Sequence, residues 1–194
     1  MPTRQQQTSE RRDEIAATAA RLMNRRGYTQ TSVAELLEAT GLEKGGLYHH
    51  FGSKQEIALA AFDHAYASLG DQITNAVESD ATPREQLAAI VDASLDHACS
   101  GEIGGGCPMV NLSAAAGDRH PALKARAAET MQALRDGARA LLEADPTPGE
   151  DPAALADLIV NLTEGAIVVR EVTGDDKVIE PARAHVHSLL GVSR

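Results

Sequence analysis

The stretch between residues 31 and 54 constrains the fold most, because two short helical segments meet there at a glycine. Ser32 and Glu35 have the S-x-x-E spacing of a capping box, in which each side chain bonds a backbone N–H at a helix start. Gly41 tolerates the left-handed backbone conformation that ends a helix. Between them, residues at i, i+3 and i+4 spacing give the helix one apolar face: Val33, Leu36 and Leu37.

A second short helix is predicted from Glu43 to His50, with Leu47 and Phe51 directed inward. A third, longer helix begins at Ser53, where the S-x-x-E spacing recurs. Two short helices joined by a tight glycine turn are typical of a helix-turn-helix, whose second helix enters the major groove of DNA. The sequence therefore predicts a DNA-binding element near the N-terminus.

The residues in and around these two helices follow a pattern at fixed spacing. The pattern consists of Gly27-Tyr28, Thr31-Ser32-Val33, Ala39 with Gly41, Lys44-Gly45, Leu47-Tyr48-His49-His50-Phe51, and Ser53-Lys54 with Glu56. It resembles the DNA-binding domain of the TetR family of bacterial repressors, over roughly residues 11 to 57. Glu43 and Gly46 depart from the family pattern, which usually has serine at the first position and a small hydroxyl residue or alanine at the second.

The exposed side of the second short helix carries the candidates for reading DNA bases. Lysine donates to guanine acceptors, and glycines let the backbone come close. The base-reading candidates are Lys44, Gly45, Gly46 and Tyr48. The predicted DNA-binding set also includes Ser32, together with three residues expected near phosphates: Thr31, His49 and Lys54. Tyr48 can instead be an aromatic residue packed within the protein. His50 is either a further residue that contacts DNA or a partly buried helix residue.

The net charge of −10 argues against a DNA-binding protein until the chain is divided. Residues 1–54 contain eight Lys and Arg against six Asp and Glu, whereas residues 55–194 contain ten against twenty-two. The asymmetry favours nucleic-acid contact by the N-terminal part alone. The acidic remainder is interpreted as ordinary solubility rather than as a site for a basic partner.

The remainder of the chain predicts helices and no strand. Aromatic residues make up 3% of the sequence and tryptophan is absent, so the core is built from aliphatic residues. Residues 1–8 are expected to form a flexible arm. We expect an all-α protein with an N-terminal three-helix helix-turn-helix domain, residues 1–52, and a larger C-terminal helical domain for ligand binding and dimerisation, residues 53–194. The predicted helices cover about 9–26, 32–40, 43–50, 53–77, 82–99, 107–116, 121–144, 151–173 and 178–190.

One helix-turn-helix buries too little surface for operator specificity, so a two-fold dimer on palindromic double-stranded DNA is expected. The resemblance implies a homodimer through the last two helices. Independently, the eighth helix has apolar residues around more of its circumference than a surface helix needs, and Gly165 and Ala166 allow close approach. The alternative is that this helix is a core helix within one chain.

The resemblance also implies a small-molecule inducer, held between helices 4 to 7 of the second domain. Because apolar residues at helical spacing are core more often than pocket, the alternative for these candidates is an ordinary core. The candidate lining is Phe62, Tyr66, Leu95, Met109, Asn111, Leu112, Met131 and Glu164.

Cys107 adds an alternative mode of induction. A thiol directly before a helix that starts at Pro108 lies at the positive end of the helix dipole, which favours the reactive thiolate. The glycine loop at residues 101–106 would give an electrophile or oxidant access. The other interpretation is a small buried or capping residue.

Several function classes lack sequence support. There is no apolar run of about 18 residues and no secretory leader, so a membrane span or export is not expected. Two cysteines are too few for a disulfide framework, which suits the cytoplasm. Spacing of His97, Cys99 and Cys107 matches no common zinc pattern, and neither metal nor cofactor is predicted.

These observations predict a cytoplasmic, ligand-responsive transcriptional regulator, a repressor in the mechanism that the resemblance implies. Two alternatives come from other classes of protein. An enzyme with a helical binding domain is disfavoured, because no nucleophile–base or carboxylate pair occurs at motif spacing. An interaction module that kept the fold without binding DNA is the second alternative.

Overall fold

The computed structural model describes residues 3–77, 80–100, 106–116 and 119–192, without the side chains of residues 4, 5, 115 and 116. Within these ranges the chain is all-α and contains no strand, as the sequence predicts. The helices are α1 (Arg4–Arg26), α2 (Val33–Thr40), α3 (Lys44–His50), α4 (Lys54–Ala76), α5 (Pro83–Ser100), α6 (Pro108–Ala116), α7 (Pro121–Ala144), α8 (Pro152–Thr173) and α9 (Ile179–Leu190), with a 3-10 turn at Asp176–Val178 before α9.

Local capping explains most of these boundaries. The Ser32 hydroxyl accepts from the Glu35 N–H at 3.2 Å, and the Glu35 carboxylate accepts from the Ser32 N–H at 2.7 Å. The carboxylate of Asp151 accepts from the first free N–H groups of α8. Gly41 and Gly174 end α2 and α8 with φ values of +66° and +68°, where a side chain would be strained.

The N-terminus differs from the predicted flexible arm. Helix α1 begins at Arg4 because Thr3 and Gln6 form a capping box, in which the Gln6 side chain accepts from the Thr3 N–H at 2.7 Å. The arm prediction is therefore wrong for residues 3–8, while residues 1 and 2 lie outside the described residues. Sequence periodicity did not reveal this turn because it is polar and buries no apolar face. The glycine loop is also outside them at residues 101–105.

The described chain forms two compact units. Unit 1 contains residues 1–68 and 102–128, and unit 2 contains residues 69–101 and 129–194. Helix α4 contributes its first part to unit 1 and its last two turns to unit 2, and α7 is divided between the units in the same way. The functional boundary expected at residues 52 and 53 stays a prediction.

Unit 2 is built on α5, α8 and α9, which pack against one another. Its buried residues are almost entirely aliphatic, as the scarcity of aromatics predicts. Charged links also join its elements, and Arg84 and Arg183 make two of them. Arg84 on α5 donates to the Asp145 carbonyl at 3.2 Å and to Glu150 at 2.5 Å, and Arg183 on α9 donates to Asp92 at 2.8 Å.

Helix α8 is more apolar than the sequence prediction allowed. An 18-residue window of Pro152–Thr173 has a mean hydropathy of 1.5, so by length and composition alone this helix is able to cross a membrane. Core helices of soluble proteins pass the same test, and six residues of α8 are buried within the chain. The apolar content of α8 is therefore weak support for a membrane span.

Candidate nucleic-acid interface and ligand cavity

Helix α3 is held by a small apolar core within unit 1. Ile15 on α1, Leu36 on α2, Leu47 on α3 and Phe51 directly after α3 are each at most 1% exposed. Burying four large side chains in so small a domain contributes about 1.5–3 kcal/mol per residue relative to exposure. This core fixes one side of α3 inward and leaves its opposite side in solvent.

Two arginines on α1 fasten the ends of the neighbouring helices. Arg12 donates to the His50 carbonyl at 2.5 Å and to the Glu56 carboxylate at 3.3 Å, and its guanidinium lies 4.2 Å from the centre of the Phe51 ring. Arg11 donates to the carbonyl of Thr40 at 3.2 Å, at the end of α2. Sequence reasoning missed both residues. The carbonyls that they bond are distant in sequence, and because every residue has a main-chain carbonyl, no residue type indicates which one is bonded.

Glu56 completes the junction between α3 and α4. Its carboxylate accepts from the Gly52 N–H at 2.7 Å, while its own N–H donates to the Ser53 hydroxyl at 3.1 Å. The bond from Gly52, followed by that from Arg12, lowers the pKa of Glu56 below its ordinary value. An ionised carboxylate thus holds the turn that sets the end of α3.

The exposed side of α3 carries most of the predicted base-reading residues. Lys44, Gly45, Tyr48 and His49 are exposed, with 37% of Tyr48 in solvent. A Cβ added at Gly45 would meet nothing within 4 Å, and one at Gly46 would make an ordinary 3.5 Å contact with Leu42. Packing within the chain therefore does not require either glycine. Another reason for glycine at these two positions is that it lets a second molecule come close to the backbone.

Three other members of the predicted DNA-binding set have structural contacts. Thr31 is fully buried and its hydroxyl donates to the Gly27 carbonyl at 2.9 Å, so its side chain does not present itself to a phosphate as predicted. Ser32 is exposed but caps α2. The Lys54 ammonium lies 4.5 Å from the centre of the Tyr28 ring, and burial lowers the pKa of Lys54.

His50 is half-buried, in agreement with the structural alternative for it. Its Nδ1 atom is shielded from solvent and has no hydrogen-bond partner among the residues that the structure describes. Burial lowers the pKa of His50, and the positive charges of His49, Arg11 and Arg12 lower it further. The neutral form of His50 is therefore favoured beside the base-reading surface.

The largest described cavity lies in unit 2 and has a volume of about 520 Å³. It is lined by the end of α4 and by α5, α7 and α8, is partly open to solvent, and has almost exclusively apolar walls. Ligand pockets of proteins typically measure about 300–1,000 Å³ and have predominantly apolar linings. A second cavity, within unit 1, measures about 30 Å³, which is room for little more than a water molecule.

The predicted pocket residues do not gather at one place. Of the predicted set, the 520 Å³ cavity includes only Glu164. Phe62, Asn111 and Leu112 line the small cavity of unit 1. Leu95 and Met109 are buried, while Tyr66 and Met131 are half-buried. Helical spacing identified inward residues correctly but did not distinguish the core from a cavity wall, and it did not suggest that α8 forms one wall.

Cys107 is buried, with 7% exposed, and precedes the first residue of α6. Its carbonyl accepts from the Asn111 N–H at 3.1 Å. The Asn111 amide donates to Asn24 Oδ1 at 2.9 Å, and the Asn24 amide donates to the Gly106 carbonyl at 3.2 Å. These bonds fix the start of α6 to α1. Neither cysteine forms a disulfide, and the structure brings no group of three metal-ligating side chains together among its described residues.

Helix α8 carries apolar residues on one side that the described part of the chain leaves exposed. We define the α8 stripe as Leu158, Gly165, Val168, Val169 and Val172. Its four large residues are 37–81% exposed, with Val172 the most exposed at 81%. Leu158, Gly165 and Val172 follow one another at seven-residue intervals and so lie on one side of the helix. Exposed apolar surface on one side of a helix is typical of sites that contact a protein, a membrane or a ligand.

Two family models match the chain. The model of bacterial regulatory proteins of the TetR family matches residues 15–61, which span α1 to the first part of α4. The model of tetracyclin repressor-like C-terminal domains matches residues 81–186, which is more than half of the chain.

Individual relatives align over nearly the whole length. The chain is 28% identical to the HTH-type transcriptional repressor NemR of Escherichia coli K12, covering 92% of this chain and 93% of that protein. It is 27% identical, with the same coverage, to an uncharacterised HTH-type transcriptional regulator of Mycobacterium tuberculosis. The crystal structure of a TetR transcriptional regulator from Chloroflexus aurantiacus superposes with a TM-score of 0.86 at 30% identity, covering 95% and 96% of the two chains.

Proposed function

Because this chain belongs to the TetR family of bacterial transcriptional regulators, we propose that it is a ligand-responsive repressor that binds a palindromic operator as a dimer. Regulators of this family are soluble DNA-binding proteins and not enzymes, so the alternative of an enzyme is set aside. The cytoplasm is the compartment in which such a protein meets chromosomal DNA. The E. coli relative NemR is named a transcriptional repressor, which supports the repressor mode.

The observation that carries the proposal is the exposed side of α3. Lys44, Gly45, Tyr48 and His49 face solvent on a helix whose opposite side is locked by Leu47 and by the bonds of Arg12. A short helix with a rigid inner side and an exposed polar side is suited to entering a major groove. Gly46 and Lys54 complete the proposed DNA-contacting set, with Ser32 at the start of α2.

The functional division proposed for the chain places DNA binding in residues 1–52 and ligand binding with dimerisation in residues 53–194. Dimerisation through α8 and α9 is supported by the α8 stripe, whose exposed valines need a cover. Two-fold symmetry brings the same stripe of a second chain against it, and Gly165 permits close approach. The spacing of the two α3 helices then has to match about one turn of DNA, ~34–36 Å.

An inducer bound in the 520 Å³ cavity would act through α4. This helix starts two residues after Gly52 and lines the cavity at Ile73, so it is the element through which ligand binding would be transmitted to the DNA-binding residues. We expect the ligand to bind more tightly to a conformation in which the distance between the two α3 helices does not match one turn of DNA. The ratio of its affinities for the two conformations limits how far operator affinity falls. Release of the operator by a small molecule follows.

Operator binding tests the proposal directly. We expect the purified protein to bind DNA from the region upstream of its own gene, with a dissociation constant that rises steeply with salt. Lys44→Ala should lower operator affinity by roughly five- to 150-fold, since a base-reading side chain contributes about 1–3 kcal/mol. Lys177→Ala removes an exposed cation outside the helix-turn-helix and should leave affinity unchanged. Equal affinity of the Lys44→Ala variant and wild type would refute the recognition-helix assignment.

The same binding experiment distinguishes a DNA-binding regulator from an interaction module without DNA binding. A protein that has kept the fold for another partner would show no operator complex, or one that ignores salt. In that outcome, DNA recognition would be wrong while the family assignment would stand.

The thiol mode of induction is the second candidate, supported by the position of Cys107 immediately before α6. Its test adds a thiol-reactive electrophile to the operator complex of wild type and of Cys107→Ser. Release from wild type alone would make Cys107 the sensor. If the reagent leaves both complexes intact, induction is assigned to a non-covalent ligand in the cavity.

A further inference from the structure

The walls of the 520 Å³ cavity are hydrocarbon on nearly every side. Fifteen described residues line it, and twelve of them are Ile, Leu, Val, Ala or Gly. The other three are Ser94 on α5 and the adjacent Thr163 and Glu164 on α8. Aliphatic walls of this extent favour a ligand that is itself mostly hydrocarbon, because burial of apolar surface is then the main source of affinity.

The lining offers no positive charge to an acidic ligand. None of the fifteen described lining residues is lysine, arginine or histidine. A carboxylate or phosphate that entered the cavity would lose its hydration without gaining a cation, and that loss is costly. The walls therefore disfavour anionic ligands.

The acidic residue of the lining is partly withdrawn from the cavity. The cavity is partly open to solvent, whereas Glu164 Oε2 is shielded from solvent, so this oxygen does not face the space that a ligand would occupy. An ammonium group in the cavity would then be surrounded mainly by hydrocarbon, which is costly for a charge of either sign. An uncharged ligand avoids this cost.

Both hydroxyls of the lining use their protons within their own helices. Ser94 Oγ donates to the Ile90 carbonyl at 2.7 Å, and Thr163 Oγ1 donates to the Ile159 carbonyl at 2.8 Å. Because a hydroxyl has a single proton, what each oxygen offers to a ligand is its lone pairs. The polar ligand group that complements these two oxygens is therefore a neutral hydrogen-bond donor.

We propose that this cavity binds an uncharged lipophilic alcohol, whose hydrocarbon part fills the apolar walls and whose hydroxyl donates to Ser94 or Thr163. The inference rests on the proposed function of the cavity as the inducer site and names its ligand class. Linear and cyclic alcohols share this chemistry, and a linear alcohol is the simplest probe of it.

The first test compares four probes of similar length with different head groups. Full-length protein is titrated calorimetrically with 1-octanol, its isomer heptyl methyl ether, octanoate and n-octylammonium, at about pH 8, where the acid and the amine are charged. We expect 1-octanol to bind about two- to tenfold more tightly than the ether, because only the alcohol donates a hydrogen bond. Octanoate and n-octylammonium should each bind at least about tenfold more weakly than 1-octanol.

Chain length tests the placement of the hydrocarbon part. From 1-hexanol to 1-octanol, the affinity should rise by about fourfold for each added CH₂ group, which corresponds to about 0.8 kcal/mol of apolar burial. An affinity that stays constant along this series would contradict binding against aliphatic walls.

A double variant locates the ligand hydroxyl. Ser94→Ala combined with Thr163→Val removes both acceptors, so the preference for 1-octanol over heptyl methyl ether should disappear. The control combines Thr74→Val with Thr173→Val, which removes two hydroxyls that also donate to carbonyls of their own helices but lie outside the cavity lining. This control should keep the preference of wild type.

Two glycine variants locate the hydrocarbon part. Gly137→Leu introduces a side chain at a lining position of α7 where an added Cβ meets nothing within 4 Å, and it should weaken binding of both 1-octanol and the ether. Gly70→Leu makes the same change on α4, at an exposed position that is equally open but outside the lining, and should bind both probes as wild type does.

The outcomes separate this inference from the function on which it rests. Equal binding of 1-octanol and the ether, tighter binding of octanoate or n-octylammonium, absence of binding, or a preference that survives the Ser94 and Thr163 double variant would each overturn the alcohol site. Operator binding is measured on the same samples, and its retention shows that a variant is folded. A protein that binds operator DNA without preferring 1-octanol remains a regulator with another ligand class, whereas failure of wild type to bind operator DNA contradicts the proposed function itself.

Discussion

The residues of α3 divide into those that are buried in the core and those that are exposed. Leu47 contributes to the core and is fully buried, whereas Gly45 and Tyr48 are exposed, and no described atom lies within 4 Å of a Cβ added at Gly45. A glycine in the interior of a helix costs stability relative to alanine. The lower stability of α3 with glycine at position 45 is explained if the backbone there has to come close to DNA.

Gly45→Ala tests this reason. The substitution should stabilise the protein against unfolding by about 0.5–1 kcal/mol and at the same time weaken operator binding, since the added methyl group keeps the backbone away from the groove. Thermal unfolding and operator titration measure the two effects. Gly70→Ala on α4, also exposed and with no atom near the added Cβ, should stabilise similarly without affecting DNA. A Gly45→Ala variant that binds the operator as wild type does would remove the argument for close approach.

At the scale of helices, ionised glutamates at helix starts organise the N-terminal domain. Glu35 at the start of α2 and Glu56 at the start of α4 both accept backbone N–H bonds, which lower the pKa of each carboxyl below the ordinary value of 4.5. The folded protein thus binds fewer protons at these sites than the unfolded chain. Their stabilisation is complete above about pH 4.5 and is lost as the pH falls through the lowered pKa values.

Glu56→Gln should therefore flatten the acid side of the stability profile. Wild type is expected to lose thermal stability as the pH falls from about 5 toward 3, and the variant should lose less over the same interval although it starts from a lower melting temperature. Melting curves by circular dichroism at several pH values measure this. Glu171→Gln, in the last turn of α8, is the control and should keep the wild-type slope. Parallel slopes for wild type and Glu56→Gln would contradict the contribution of this carboxylate.

At the scale of the whole molecule, the charge and the α8 stripe both bear on assembly. Three of the eight cations in residues 1–54, namely Arg11, Arg12 and Arg26, bond carboxylates or carbonyls of their own domain. The cation density offered to DNA is therefore lower than the sequence count suggests. Pairing two chains doubles the number of available cations and base-reading helices, which a regulator with a net charge of −10 per chain needs.

Val172→Asp should disrupt that pairing. Because two-fold symmetry introduces the charge twice into an apolar contact, the dissociation constant of the dimer should rise by about 100-fold or more. Light scattering coupled to gel filtration measures the mass, and operator affinity should fall with it. Val110→Asp, an exposed valine of α6 outside the stripe, should leave the mass unchanged. A Val172→Asp protein that remains a dimer would place the interface elsewhere.

The sequence by itself determined the all-α architecture, most helix ends and the helix-turn-helix, because capping boxes, glycine stops and apolar periodicity are local signals. It also identified Lys44, Gly45 and Tyr48 as exposed on α3, since one face of a short helix is fixed by Leu47 and Phe51. Polar capping at Thr3 escaped the periodicity argument and extended α1.

Only the tertiary structure decided which inward residues surround empty space. A buried Leu95 and a cavity-lining Leu134 have the same sequence signal, because both are apolar residues at helical spacing. Whether side chains from different helices meet or leave a gap depends on how the helices pack, and that information is not local. The same holds for Thr31, which was predicted near DNA but is buried, and for Arg12, whose partners lie on α3 and α4.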